Sequence, residues 1–510
     1  MKLFSRYILP LLLTAAVFSA CKKDLGDYDY KTVGVPVIDT TGIGAPYFIE
    51  RYATLNIDPV INYEGGNAQA LKYQWILYPY ITGSTNTQFD IKTISTEKGL
   101  SVPIGEKVGE YRVELIATDT TNQLKINMVF TVNVSVGIEY GILVLHQQQD
   151  SSDVDFITTA NNVKVPGITP KWLKNIYSSS TGSKIGGTPR FIMQERRSFA
   201  TQNWVDVASS THIARMNGAD FSLMREDNSM FRRADAVIDP QAMMMLGNSY
   251  TTLINAGKLH IYTTTYETDA LFSAPVPGDY ELAPYLAYAT TSGAYAAVYD
   301  QKYGKFIHPA SPVGAMVDYK PVAAGTNPPF DITNIGKDML FMDAGFAPYT
   351  HAFFKDRTGN GYWLYIINFN KSDDGNLPIA AKDMSALPEI SAAKFFQASE
   401  SGYADIYATD RTIYNYDYQG TNTASVAFDA FPADETITCM KIYKPRPNAN
   451  LTDVDGTLLY VGTWNGTSGK LYEFAFNNIS GQVNNTPLNV FEGFGKISAI
   501  SAKARGNGTY

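Results

Sequence analysis

Residues 126–134 read Ile126-Asn127-Met128-Val129-Phe130-Thr131-Val132-Asn133-Val134, with a large apolar side chain at every second position. That is the period of an extended strand with one buried face; a helix would scatter the same residues around its axis. The pattern recurs upstream. Leu55-Asn56-Ile57-Asp58 and Gly109-Glu110-Tyr111-Arg112-Val113-Glu114-Leu115 alternate in the same way, and Lys72-Tyr73-Gln74-Trp75-Ile76-Leu77 sets a tryptophan in mid-strand. Four or more such strands within about 100 residues, separated by polar turns, predict an immunoglobulin-like β-sandwich over 36–136. Trp75 is the expected core residue between its sheets.

Beyond Gly137 the pattern changes. Gly141-Ile142-Leu143-Val144-Leu145 is continuously apolar, and a second domain is expected over 141–510. Strand–turn–strand units follow. Residues 294–300 turn through Gly304 into 305–308. Residues 405–409 turn at Asp410-Arg411 into 412–416, and 457–463 turn through Asn465-Gly466 into 470–474. Single strands are expected at 257–262 and 361–369. These units start roughly 40–65 residues apart, which overlaps the length of a propeller blade, and the segment has room for about seven blades. The expected fold class is therefore all-β: an N-terminal sandwich followed by a seven-bladed β-propeller. A β-helix or stacked sandwiches are the alternatives.

Composition agrees. Aromatic residues are 13% of the chain and include 34 Tyr, a balance that favours strands over helices. Helical signal is confined to two stretches. One runs from Thr169-Pro170 through Ile176 and stops at Ser178-Ser179-Ser180; the other lies within 380–396 and is interrupted by Pro388. With a net charge of −8, the chain has no basic field for nucleic acid.

The N-terminus carries an address. Lys2 and Arg6 precede a mostly apolar run from Ile8 to Phe18, and Phe18-Ser19-Ala20-Cys21 follows. A basic start, a short apolar core and small residues before a cut make an export signal. The core is too short to span a bilayer, for which about 20 residues are needed. The run resembles a lipobox, which implies a signal peptide over 1–20 and lipid attachment at Cys21, with Phe18 where most lipoboxes have Leu. Two acyl chains suffice for stable membrane anchoring. Residues 21–35, with Lys22-Lys23-Asp24 at their head, read as a solvated tether. Cys439, the other cysteine, has no partner for a disulfide and reads as a buried strand residue.

A family resemblance rests on particular residues. Val108-Gly109-Glu110-Tyr111-Arg112-Val113-Glu114-Leu115-Ile116-Ala117-Thr118-Asp119 resembles the penultimate strand of polycystic-kidney-disease (PKD) domains, and Tyr73 with Trp75 fits the same fold. Leu25-Gly26-Asp27-Tyr28-Asp29-Tyr30 and Ile94-Ser95-Thr96-Glu97 resemble the PKD-like lipoproteins of Bacteroidetes. The resemblance implies an outer-membrane lipoprotein facing the cell exterior. Its implied setting is a starch-utilisation-type uptake system, with an uptake receptor and that receptor's lipoprotein partner as neighbours. It implies a place and a context rather than a reaction.

Sequence offers few catalytic signals. His146, His212, His260, His308 and His351 form no His-x-His or His-x-x-x-His pair, and no nucleophile elbow, phosphate loop or dinucleotide fingerprint is present. No metal, cofactor or catalytic residue is expected. The turns at Asp356–Gly361 and Asp453–Gly456 have the oxygen-rich, glycine-containing composition of calcium loops, which is also that of tight turns. Sugar binding would use exposed aromatic faces with hydrogen-bonding neighbours. Trp464, beside Asn465-Gly466, is the first candidate for ligand binding, and Trp363 and Trp204 follow. The expected role is non-enzymatic glycan binding in a nutrient-uptake system. The alternatives are a propeller glycoside hydrolase or polysaccharide lyase, recognised by paired carboxylates in a deep pocket, and a structural spacer or assembly protein.

Overall fold

The computed structural model describes residues 34–39, 41, 46–80, 91–164, 169–197, 202–233, 237–247, 249–263, 269–290, 292–322, 325–371, 376–445 and 454–503. Cys21, the signal peptide and almost all of the tether lie outside them. The described chain is nearly all strand, as its alternating and continuously apolar runs require. It folds into two compact units. The first holds 54–102 and 111–131 with the described residues before 47; the second holds 47–53, 103–110 and everything described from 132 onward.

The N-terminal unit is a PKD-like sandwich. Its larger sheet runs in the order Lys125–Ser135, Gly109–Asp119, Leu71–Pro79, Lys92–Ser95. Two smaller pairs, Val37–Asp39 with Val60–Asn62 and Thr54–Ile57 with Leu100–Pro103, complete it. Alternation decides which side chains go inward: Tyr111, Val113, Leu115 and Ala117 are buried while the residues between them are not. Trp75 is fully buried against Phe130, ring centroids 5.7 Å apart, and its indole N–H donates to the Glu97 carbonyl at 2.9 Å. That bond satisfies the one polar atom the tryptophan takes into the core.

The second unit is a β-propeller. Among the described residues its strands form seven antiparallel sheets. The first sheet is Lys171–Leu173, Ser151–Thr158, Gly141–Gln148 and, from the far end of the chain, Lys496–Lys503. The second is Pro189–Arg196, Asn203–Ser209, His212–Asn217 and Leu223–Glu226. The third has three strands, Pro240–Leu246, Tyr250–Asn255 and Lys258–Thr263. The fourth is Leu282–Tyr288, Ala296–Asp300, Lys305–Pro309 and Met316–Asp318, and the fifth Lys337–Ala344, Thr350–Asp356, Tyr362–Ile367 and Pro378–Asp383. The sixth is Phe395–Ala398, Asp405–Ala408, Ile413–Asp417 and Thr423–Phe428, and the seventh Thr436–Ile442, Leu458–Trp464, Gly469–Ala475 and Asn489–Phe494. The innermost strand of each sheet touches those of both neighbours, and the cycle closes through Lys496–Lys503.

A separate apolar cluster fills every gap between consecutive sheets. Leu143, Leu145 and Phe156 meet Val205, Val207 and Met216 between the first and second. Ile142, Val144 and Ile157 face the other way, toward Tyr460, Leu471 and Phe494 of the seventh. Both faces of such a strand are buried, so its sequence is continuously apolar rather than alternating. This is the physical origin of the run Gly141–Leu145.

The helix expected from Thr169 through Ile176 is corrected. Lys171–Leu173 is an edge strand paired with Phe156–Thr158, and the helix occupies Ile176–Thr181 instead, taking in the three serines. The carboxylates of the neighbouring strand set this boundary. Asp155 accepts from the Trp172 indole at 2.7 Å and the Asn175 amide at 2.8 Å, and Asp153 accepts from the Ser178 amide at 3.2 Å. In the second stretch, Pro378–Asp383 is a strand, and only a single 3₁₀ turn forms, at Ile390–Ala392.

Lys503 ends the closing strand with its side chain fully buried and its ammonium on the Ile138 carbonyl. Burial pushes its pKa down to about 7, against the pull of Glu139. The unfolded chain keeps that proton up to about 10.4. Between these values the unfolded state holds more protons, so stability rises with pH across the window. Measured by urea midpoints at pH 7 and 9.5, the wild type is expected to gain relative to Lys503→Met. Parallel pH profiles for the two proteins would contradict this.

Candidate functional site

The innermost strands bring methionine, lysine and carboxylate side chains to the axis of the ring. Met193 and Gln194 come from the second sheet, Met243, Met244 and Met245 from the third, Asp343 from the fifth, Lys441 and Lys444 from the seventh, and Ser501 from the closing strand. Together they line a cavity of about 180 Å³. Methionine is unbranched and polarisable, so the wall it forms adapts to what it meets.

The opposite wall is polar and fixed. Lys444 Nζ lies 2.8 Å from Asp343 Oδ2 and 3.7 Å from Glu400 Oε1, and it donates to the Ala344 carbonyl at 3.0 Å. Lys444 and Glu400 are buried. Behind them, His351 Nδ1 donates to Asp405 Oδ2 at 2.7 Å, with both side chains only 1% exposed. Burial pushes the Asp405 carboxyl above its ordinary range, and the His351 and Lys444 charges pull it back. Among the described residues, His351 Nε2 and Asp405 Oδ1 have no hydrogen-bond partner. Gly345 packs on this histidine so closely that a Cβ there would lie 2.3 Å from His351 Cδ2. The arrangement is therefore preorganised: three sheets lock one cation between two carboxylates.

A second cavity of about 370 Å³ shares Met244 with the first and is lined by Tyr288, Thr290, Tyr349 and Asn370. Tyr288 stacks on Tyr295 at 5.5 Å, and Tyr295 meets Tyr250 edge-on at 5.7 Å. This mouth combines aromatic faces with hydroxyl and amide groups.

The tryptophans expected to bind ligand lie elsewhere. Trp204, Trp363 and Trp464 are half-buried on the second, fifth and seventh sheets, and none lines either cavity. The Arg215 guanidinium sits 4.2 Å over Trp204, and the Lys337 ammonium 4.8 Å over Trp363, so two ring faces are already occupied. In the turn at Asp356–Gly361, the Asp356 carboxylate is engaged by Lys337 and by the Trp363 indole at 3.1 Å. Burial pushes the Cys439 thiol up to about 12, which keeps it protonated and unreactive at neutral pH. Among the described residues, no three His, Cys, Asp or Glu side chains are placed to hold a metal ion. No described helix is long and apolar enough to cross a membrane.

The match to known families falls on the N-terminal third. Residues 21–189 match the model of the PKD-like family. The match begins at Cys21 and ends at the first residue of the second propeller sheet. No curated protein matches the sequence. Among solved structures, a quinoprotein alcohol dehydrogenase-like protein of Bacteroides thetaiotaomicron is 15% identical. The alignment covers 91% of this chain and 98% of that one, with a TM-score of 0.40. The Cps50 (Swd1) β-propeller domain of Myceliophthora thermophila is 10% identical over 62% of this chain and 91% of its own, with a TM-score of 0.39. A protein of unknown function from Bacteroides caccae is 10% identical over 58% and 97%, with a TM-score of 0.30.

Proposed function

We propose that this chain is a lipid-anchored outer-membrane protein, facing the cell exterior, whose seven-bladed propeller holds a glycan for a nutrient-uptake system. The observation that carries the reading is the axial site. A tyrosine-rimmed mouth opens beside a cavity with an adaptable methionine wall and a fixed Lys444–Asp343 wall, backed by Glu400. Sugar rings stack on aromatic faces, while hydroxyls take hydrogen bonds from groups held in place beforehand. The lipid on Cys21 supplies the anchor, the sandwich acts as a spacer, and an uptake receptor with its lipoprotein partner receives the glycan.

The hydrolase reading has one observation in its favour. Asp343 and Glu400 both stand within 4 Å of one lysine nitrogen, a spacing compatible with paired glycosidase carboxylates. Lys444, however, fills the gap in which a glycosidic oxygen would have to sit. Binding without turnover is the better account.

The test uses intact cells carrying the full chain and fluorescent polysaccharides too large to enter through porins. Retention of at least one polysaccharide is expected. Cys21→Ser should abolish retention by releasing the protein from the membrane. Tyr349→Ala should leave the protein on the cells and weaken retention about tenfold, the loss of one stacking face. Release of shortened chains, or full retention by Tyr349→Ala cells, would overturn the reading.

A further inference from the structure

The third sheet leaves a second site, away from the axis. It has three strands, and the position beside its outer strand Lys258–Thr263 is taken by an irregular segment, where the Ser273 amide donates to Ile261 O at 2.9 Å and the Val276 amide to Leu259 O at 2.8 Å. Beside that segment lies a cavity of about 240 Å³. Phe231, Val237, Ala274 and Pro275 make most of its walls apolar, and Arg233, Asn255, Lys258 and His260 line it as well.

His260 is 4% exposed. Its Nδ1 lies 2.9 Å from the Ser273 carbonyl, an acceptor only, so Nδ1 carries the proton and Nε2 is a bare acceptor. Phe231 packs edge-on against the ring at 5.4 Å. Nε2 has no partner among the described residues. The neighbouring polar groups are engaged: Asn255 bonds the Asp239 amide at 2.9 Å and the Val237 carbonyl at 2.7 Å, and Lys258 reaches the Tyr280 carbonyl and lies 4.3 Å over its ring. Burial lowers the pKa of His260, which keeps the ring neutral and Nε2 available.

We propose that this cavity binds a small, mainly apolar molecule carrying one hydroxyl or N–H group, with His260 Nε2 accepting that hydrogen bond. Its size suits one or two rings rather than a glycan chain, and the mainly apolar walls favour an uncharged ligand. The site is independent of the axial one.

Phenol and toluene, matched in size and differing in the hydroxyl, are the probes. Saturation-transfer NMR on the full chain carrying Cys21→Ser, so that no acyl chain competes, should show saturable phenol binding at least about tenfold tighter than toluene. His260→Phe is expected to abolish the preference. Ala274→Leu, an exposed wall position, should block both probes without touching the core. The proposal is overturned if phenol shows no saturable binding, if toluene binds as tightly as phenol, or if Ala274→Leu leaves phenol binding unchanged.

Discussion

Replacing Arg215 with methionine is expected to cost about 3–5 kcal/mol of stability near neutral pH, the range seen when one partner of a buried ion pair is removed. Arg215 reaches Asp206 through two bonds, Nε to Oδ1 at 2.8 Å and Nη2 to Oδ2 at 3.3 Å, and Glu195 Oε2 lies 3.5 Å from Nη2. Asp206 and Glu195 are fully buried between the second and third sheets. The Trp204 and Tyr262 rings cover the guanidinium at 4.2 and 5.3 Å, and the Tyr262 hydroxyl donates to Glu195. Burial and the neighbouring Glu195 push the Asp206 carboxyl up, and Arg215 is the charge that pulls it down. Without Arg215 two carboxylates face one another with no solvent.

The pH dependence follows with a definite sign. A carboxyl whose folded pKa lies above its unfolded value binds a proton more readily in the native state, so acid favours folding. The Arg215→Met deficit should therefore shrink as pH falls from 7 to 5. Adding Asp206→Asn should recover much of the loss at pH 7, because it removes the charge that Arg215 no longer neutralises. Urea unfolding of the single and double variants at both pH values measures this. A deficit below about 1 kcal/mol at pH 7 would mean that the pair is no better than an exposed salt bridge.

How much of this was legible in the chain depends on burial. The hairpins at 294–308, 405–416 and 457–474 are visible because both strands of each are sandwiched between sheets and made almost wholly of apolar residues. The outer strands Met316–Asp318, Thr423–Phe428 and Asn489–Phe494 are not, because solvent covers one side and leaves Val317, Val426 and Val490 exposed among polar residues. Trp75 is legible as core because a lone tryptophan amid alternating residues has one plausible place. The axial site is not. Asp343, Glu400 and Lys444 are single charged residues far apart in sequence, and only the packing of the fifth, sixth and seventh sheets makes them neighbours. His351 shows no partner in sequence because Asp405 lies on the next sheet. The surroundings of the tryptophans are hidden for a related reason: nothing local to Trp204 or Trp363 announces that Arg215 or Lys337 covers its face.

Ending the chain at Gly495 is expected to abolish cooperative folding of the propeller. The truncation removes Lys496–Lys503, whose register runs from Gln147 opposite Lys496 to Gly141 opposite Lys503. That strand is the innermost of the first sheet although it lies at the other end of the chain, so it fastens the ring. Its loss exposes the edge of Gly141–Gln148, where Ile142, Leu143, Val144 and Leu145 are fully buried in the closed ring. It also strips Ile497 and Ile500 from the cluster shared by the first and seventh sheets. Removing either isoleucine side chain alone should cost about 2–5 kcal/mol. The pair and their ladder bonds together are comparable to the roughly 5–15 kcal/mol total stability of a typical domain, so little is left to hold the ring shut. An open ring also presents an unpaired, apolar edge strand, which invites aggregation. Ile497→Ala grades the effect. Ile497 packs on Gly462, where an added Cβ would lie 2.8 Å from its own, and that tight contact leaves the site little room to collapse around a cavity. Scanning calorimetry should show a lowered but single propeller transition for Ile497→Ala and none for the chain ending at Gly495. A truncated protein that still melted in one sharp transition at the wild-type temperature would show that the ring is held by the other sheets and not by its closing strand.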